Sequence, residues 1–357
     1  MQSKAKPRSA AKAAQDSHPE ADVKHIVRGI VRKGLKPLPP KASVSLRLDQ
    51  DVLEWFKAQG AGYQTRINTV LRAGDSNPGQ VQCSPGGVTR NVAENLLRLG
   101  LDVRLLGVLG DDVFGQALRQ AGAAIGLDMG ACLTLPGQRS ATYVCLHGAD
   151  GEMQVAVNDM DIMEQLTPAR LAPQQALLAG AAVLVADCNV PPATWHWLAH
   201  SVAHPALFAE AVSVAKCARL LPVLAQVHTL KANRLEAQAL CGRAIASVQD
   251  ACDAALALHR KGTGRVLISL GAQGVAWCDA DGRCGHRATR PVQVLSATGA
   301  GDALMGGLVY GHLQGWPLEA ALAWAMSCAE ITLTSPAANA PALSVQAVEQ
   351  HMQHTTP

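Results

Sequence analysis

Three short apolar runs, at residues 181–187, 227–230 and 265–269, recur in the second half of this 357-residue chain, with long helix-patterned stretches between them. Runs of that length suit strands rather than helices, and unbroken apolar character means that both strand faces are covered. Strands joined through helices pair in parallel, because a parallel neighbour needs a long crossover. The expected fold is therefore an α/β domain around a mainly parallel sheet with helices on both sides. Residues 103–109 read as another buried strand. Residues 142–146 and 153–158 read as the arms of a hairpin around Ala149-Asp150-Gly151. A helix is expected from Asn91, carrying Val92, Leu96, Leu97 and Leu99 and stopped by Gly100. A second follows Gly110, with Asp111 and Asp112 as caps.

Composition narrows the class. A hydrophobic share of 48% supports a large core, while no apolar run approaches the roughly 18 residues of a membrane helix. The N-terminus is basic and has no apolar core, so no secretory signal is expected, and a cytoplasmic protein is. The ten cysteines include no Cys-x-x-Cys pair, which points to reduced thiols. The twelve histidines show no metal-ligand spacing.

Charge divides the chain. Residues 1–73 hold 14 Lys/Arg against 6 Asp/Glu, so the net charge of +3 hides a basic front and an acidic remainder. Residues 1–42 read as a basic arm closing in a Pro-rich linker. Residues 43–48 alternate strictly, with Val44, Leu46 and Leu48 on one face and Ser43, Ser45 and Arg47 on the other. Two helical stretches follow up to residue 73. The runs Leu46-Arg47-Leu48-Asp49, Trp55-Phe56-Lys57 and Gly62-Tyr63-Gln64-Thr65-Arg66-Ile67-Asn68 resemble the ribbon-helix-helix antitoxins of bacterial toxin–antitoxin modules. That resemblance implies a homodimer whose paired strands enter the DNA major groove, with Ser43, Ser45 and Arg47 facing bases. A βαα fragment without DNA affinity fits the same pattern. Residues 74–357 make the third segment.

Four stretches of that segment suit phosphate chemistry. In Ala297-Thr298-Gly299-Ala300-Gly301-Asp302, glycines bare the backbone amides at a helix start, where an anion is welcome. Asp302 is placed to take a proton from an attacking alcohol. A glycine turn with Asp302 as an ordinary first-turn charge reads equally well from this stretch alone. Gly86-Gly87 followed by Asn91 offers bare backbone and an amide for sugar hydroxyls. Asn233 and Glu236 lie one helical turn apart, a spacing suited to a hydrated Mg²⁺ or to a helix cap. Ser269, Gly271 and Gly274 form an open strand-end loop.

Together and in this order, the four stretches resemble the PfkB (ribokinase-like) carbohydrate kinases over residues 75–357. Within that family, the runs Asp75-Ser76-Asn77-Pro78-Gly79, Val157-Asn158-Asp159-Met160 and Val185-Ala186-Asp187-Cys188-Asn189 are most similar to the pseudouridine kinases. The resemblance implies a ribokinase-like three-layer fold with a small β lid, and transfer of the ATP γ-phosphate to the 5′-hydroxyl of a nucleoside or sugar, pseudouridine first. It implies Asp302 as base, with Gly299, Ala300 and Gly301 holding phosphate charge. Gly86, Gly87, Asn91, Asn158 and Asn189 would contact substrate. Asn233, Ser269, Gly271 and Gly274 would border ATP, and Glu236 would order Mg²⁺. The family's first strand has no counterpart here, since residues 43–73 occupy its place. Glu210, Ala232 and Ser296 stand where the family favours other residues. The same resemblances also fit a DNA-binding regulator whose kinase domain senses a nucleoside, or an inactive truncated fusion.

Overall fold

The computed structural model describes residues 83–147, 153–203 and 206–353, together with the backbone of two short strands near the N-terminus. The chain divides into two compact units, Gln82–Val144 with Val157–Pro357, and Met1–Val81 with Cys145–Ala156. In the latter, β1 (Arg32–Lys33) and β2 (Lys36–Pro37) pair antiparallel. The predicted DNA-facing residues Ser43, Ser45 and Arg47 lie outside the described residues.

The larger unit holds a six-stranded sheet in the order β12-β11-β10-β9-β8-β7. Four strands are parallel: β7 (Leu184–Asp187), β8 (Leu207–Glu210), β9 (Thr229–Asn233) and β10 (Arg265–Ser269). β11 (Val275–Cys278) and β12 (Cys284–Arg287) extend it antiparallel. Among the described residues β7 ends the sheet. The alternation of the strands sorts their side chains into two cores. Ala186, Ala209, Leu230, Ala232, Val266 and Ile268 face one side, against Trp195, Leu220, Leu240 and Leu258. Phe208 and Leu267 face the other, against Val92, Leu96, Leu304, Met305 and Leu308. Helices thus cover both faces, and the expected three layers are present.

Three helices form the second cover: α1 (Val88–Arg98), α2 (Ala300–Leu313) and α3 (Leu318–Leu333). α1 begins earlier than the sequence suggests. Gly87, at φ 108°, is its N-cap, and the amide of Asn91 closes the first turn on the Gly87 carbonyl at 2.8 Å. Asn91 therefore lies within the helix rather than opening it. Asp112 caps the next helix by accepting from the amide of Gly115 at 2.8 Å, as expected.

The strand expected over residues 103–109 is mostly absent. Only β3 (Val108–Gly110) pairs regularly, in parallel with β4 (Leu133–Leu135), and Arg104 makes an isolated bridge to Asp128. The cause lies in the partner segment, which turns between Met129 and Cys132 and interrupts the ladder. The expected hairpin is present as β5 (Thr142–His147) with β6 (Met153–Asp159). No helix among the described residues is long and apolar enough to cross a membrane.

Candidate active site

The polar residues gather at the carboxyl ends of the parallel strands, where open α/β sheets present their clefts. Asp187 and Glu210 end β7 and β8, Asn233 ends β9 with Lys231 two residues before it, and Ser269 ends β10. The N-terminus of α2 arrives at this same edge. Gly299 is its N-cap at φ 83°, in the left-handed region, and a Cβ there would stand 1.8 Å from the carbonyl oxygen of Ala338. Only glycine fits that turn. The helix starts at Ala300, so the first-turn amides at Ala300, Gly301 and Asp302 have no intrahelical acceptor. They add to the positive end of the helix dipole.

Asp302 lies in that first turn, and the Nδ2 amide of Asn91 donates to its Oδ2 at 2.7 Å. Burial raises the Asp302 carboxyl to about 6, against the pull of Asn91 and Lys231 and with some help from Asp187. A carboxylate at that value is ionised at neutral pH and basic enough to accept a proton. Asn91 is fixed in turn, since Asn339 Nδ2 donates to its carbonyl at 2.8 Å and to Asn95 Oδ1 at 3.1 Å.

Below Asp302 lies a buried ion pair, Lys231 Nζ to Glu210 Oε1 at 2.6 Å. Burial opposes the Lys231 charge, but Glu210, Asp302 and Glu236 outweigh it, so Lys231 sits above its ordinary value. Burial pushes the Glu210 carboxyl up in spite of Lys231. Asp187 is tied to α1, accepting from Thr89 Oγ1 at 2.6 Å and from the Thr89 amide at 3.3 Å.

Asn233 and Glu236 form a reciprocal cap. Asn233 Oδ1 accepts from the Glu236 amide at 3.0 Å, while the Glu236 carboxylate accepts from the Asn233 amide and from its side chain at 2.7 Å each. Both readings of this pair thus begin from a real cap. Ser269 is the register partner of Asn233 on the neighbouring strand. The 271–274 loop is joined to the same region by a hydrogen bond from Arg234 to Gln273. At Gly274, φ is 95° and a Cβ would lie 2.1 Å from the Arg287 carbonyl oxygen, while Gly271 faces open space.

The other expected substrate residues lie in three places. Gly86 and Gly87 are exposed at the start of α1, with Asn91 one turn further on. Asn189 is buried beside Asp187, with Lys216 Nζ donating to its Oδ1 at 2.6 Å. Asn158 is exposed on β6 and belongs to none of these hydrogen-bonded groups. Sequence reasoning missed Glu210, Lys231 and Asn339 as parts of the site. A trace of Lys231 was readable, because a lysine two residues before Asn233 in a strand shares its side of the sheet.

Comparison with known proteins decides the family. The profile described as pfkB family carbohydrate kinase matches residues 61–344. The chain belongs to the pfkB family of carbohydrate kinases. It is 37% identical over 285 residues to a pseudouridine kinase of Escherichia coli, covering 80% of this chain and 90% of that protein. A putative sugar kinase from Clostridium perfringens superposes with a TM-score of 0.70 at 29% identity, covering 79% of this chain and 89% of that one. An Arabidopsis thaliana ribokinase complexed with ribose and ATP shares the fold, with a TM-score of 0.71 at 18% identity over 78% of this chain and 91% of its own. At the front, residues 2–74 match the profile described as BrnA antitoxin of type II toxin-antitoxin system.

Proposed function

We propose that this kinase transfers the γ-phosphoryl group of ATP to the primary hydroxyl of a nucleoside or sugar, with pseudouridine as the leading acceptor. One observation carries the reading: Asp302 stands in the first turn of α2, behind a turn that only glycine can make, with a raised proton affinity. The identity to a pseudouridine kinase supports the choice of acceptor.

In this reading Asp302 accepts the proton of the attacking hydroxyl while its oxygen bonds to the γ-phosphorus and the bond to the ADP oxygen breaks. The amides of the 299–301 turn face the charge that develops on the phosphoryl oxygens. Asn91 orients Asp302, and with Gly86, Gly87 and Asn189 it lies on the acceptor side. Asn233, Ser269, Gly271 and Gly274 lie on the nucleotide side. Among the described residues no group of three carboxylate, His or Cys side chains could hold a metal directly. Mg²⁺ that keeps its waters would arrive on the nucleotide, and Glu236, held by Asn233, would order that hydration shell. Bound there, Mg²⁺ would neutralise charge on the β- and γ-phosphates.

The test is ADP release from ATP with pseudouridine, uridine and ribose as acceptors. Asp302→Asn is expected to lose about 10²–10⁴-fold in kcat. No turnover of any acceptor by the intact protein would sink the kinase reading. The antitoxin match over residues 2–74 favours a second, compatible role for the front segment as a dimeric DNA-binding element. Salt-sensitive, sequence-selective binding that disappears in Arg47→Ala is the result expected there, and equal binding by Arg47→Ala would refute it.

A further inference from the structure

Asp187, Glu210 and Lys231 are register partners on three neighbouring strands, Asp187 opposite Glu210 and Glu210 opposite Lys231. Their side chains therefore leave the same face of the sheet. The packed part of that face is mainly apolar, with Phe208 and Leu267 on Val92, Leu304 and Met305. The three ionisable residues form a rung toward the carboxyl ends of the strands, with Asn233 and Ser269 one step further along β9 and β10. Burying charges costs several kcal/mol per ion, and apolar side chains would fill the space without that cost.

Two contacts point this rung at the transfer centre. Lys231 Nζ lies 2.6 Å from where a Gly301 Cβ would be, so the ammonium occupies the space that glycine leaves. Lys231 is held there by Glu210 Oε1 at 2.6 Å, and Glu210 Oε2 is buried with no hydrogen-bond partner among the described residues. Among the described residues this contact is thus the hydrogen-bonded anchor of both head groups. We propose that Glu210 and Lys231 are positioning residues of the transfer centre: Glu210 pins Lys231, and the pinned ammonium sets a fixed positive charge behind Asp302 and the 299–301 turn.

The groups facing Asp302 are Asn91 from α1, Lys231 from β9 and Asp187 from β7. Those facing Lys231 are Glu210, Asp302 and Glu236. Lys231 is the one cation in this set, and its removal leaves Asp302 with buried acidic neighbours. Kinetic consequences rest on the kinase reading above, whereas the electrostatic consequence belongs to Asp302 whatever the acceptor.

The experiment compares wild type, Lys231→Met, Lys231→Arg and Glu210→Gln in the full chain, with ATP and whichever acceptor wild type turns over. Lys231→Met is expected to lower kcat on the order of a hundredfold, with a much smaller change in acceptor KM. It should also move the acidic limb of kcat upward by on the order of one pH unit. Lys231→Arg should restore the limb and much of kcat. Glu210→Gln, which keeps the cation but weakens its anchor, should lower kcat without raising the limb. A carbon NMR titration of the Asp302 carboxyl, assigned by its disappearance in Asp302→Asn, reads the same displacement without turnover. If wild type phosphorylates nothing yet the titration moves in Lys231→Met, the kinase reading fails and the positioning role stands. Wild-type kcat in Lys231→Met, or an Asp302 titration unmoved in Lys231→Met, overturns the positioning role. Should Lys231→Met not fold, a Lys231→Arg titration displaced upward from wild type would overturn it equally.

Discussion

Gly299→Ala is the sharpest test of the turn that opens α2. The backbone there has φ 83°, and the new Cβ would fall 1.8 Å from Ala338 O and 2.6 Å from Ala338 C. The left-handed conformation costs an alanine about 1–2 kcal/mol. The overlap is with backbone on both counts, so no rotamer relieves it, and overpacking of this kind adds about 1–3 kcal/mol. A loss of about 2–5 kcal/mol is expected, read as a urea midpoint or as about 2–4 °C of Tm per kcal/mol. Gly315→Ala supplies the control, since Gly315 has φ 72° but nothing within 4 Å of its would-be Cβ. It should show only the conformational part. Activity should separate the two further. Displacing Ala338 drags on Asn339, which holds Asn91, which holds Asp302. Gly299→Ala should therefore lose kcat on the order of tenfold or more, while Gly315→Ala keeps it. Equal destabilisation by the two substitutions, with kcat retained in both, would refute the steric reasoning.

Three further outcomes follow from the buried charges and thiols. Asp302 has a folded value of about 6 against an ordinary 3.8, so the folded state binds its proton more tightly and stability rises as pH falls through about 6. Asp302→Asn should consequently be more stable than wild type above neutrality, by roughly 2–3 kcal/mol, and lose that advantage in melts near pH 4. Glu330 behaves oppositely. Burial works to raise it, but hydrogen bonds from Arg290 and His351 prevail and hold it below the ordinary range. Its contribution is present above the unfolded carboxyl value and lost as acid protonates it, and Glu330→Ala should cost about 3–5 kcal/mol in neutral melts. Cys278 and Cys284 face each other across β11 and β12 with their Sγ atoms 2.7 Å apart. A thiol-specific oxidant should join them within one chain, seen by mass spectrometry as the loss of two hydrogens. Persistence of both free thiols under that treatment would show that the strands hold them apart.

What was legible in the sequence depended on short range. The apolar runs named three of the strands' neighbourhoods because burial on both faces leaves its mark within a few residues. Asn233 and Glu236 paired as read, since one helical turn brings them together whatever the rest of the chain does. The Gly299 turn was visible as glycine, although the reason for it, the Ala338 carbonyl, lies 39 residues away. The start of α1 and the 103–109 strand were misread for related reasons. A glycine N-cap gave no side-chain signal, and a strand lasts only as long as its partner stays straight. The linkage around Asp302 was harder still. Asn91 and Asp302 meet across 211 positions, and Asp187, Glu210 and Lys231 line up only once three strands have chosen a common register. Yet each of those three left a local mark of the same kind, an ionisable residue at or near the carboxyl end of a strand whose neighbours are buried. Such a residue is costly unless it meets a partner from another strand. A charge closing an apolar strand therefore predicts a meeting, and several such charges in successive strands predict that the meeting place is one edge of the sheet.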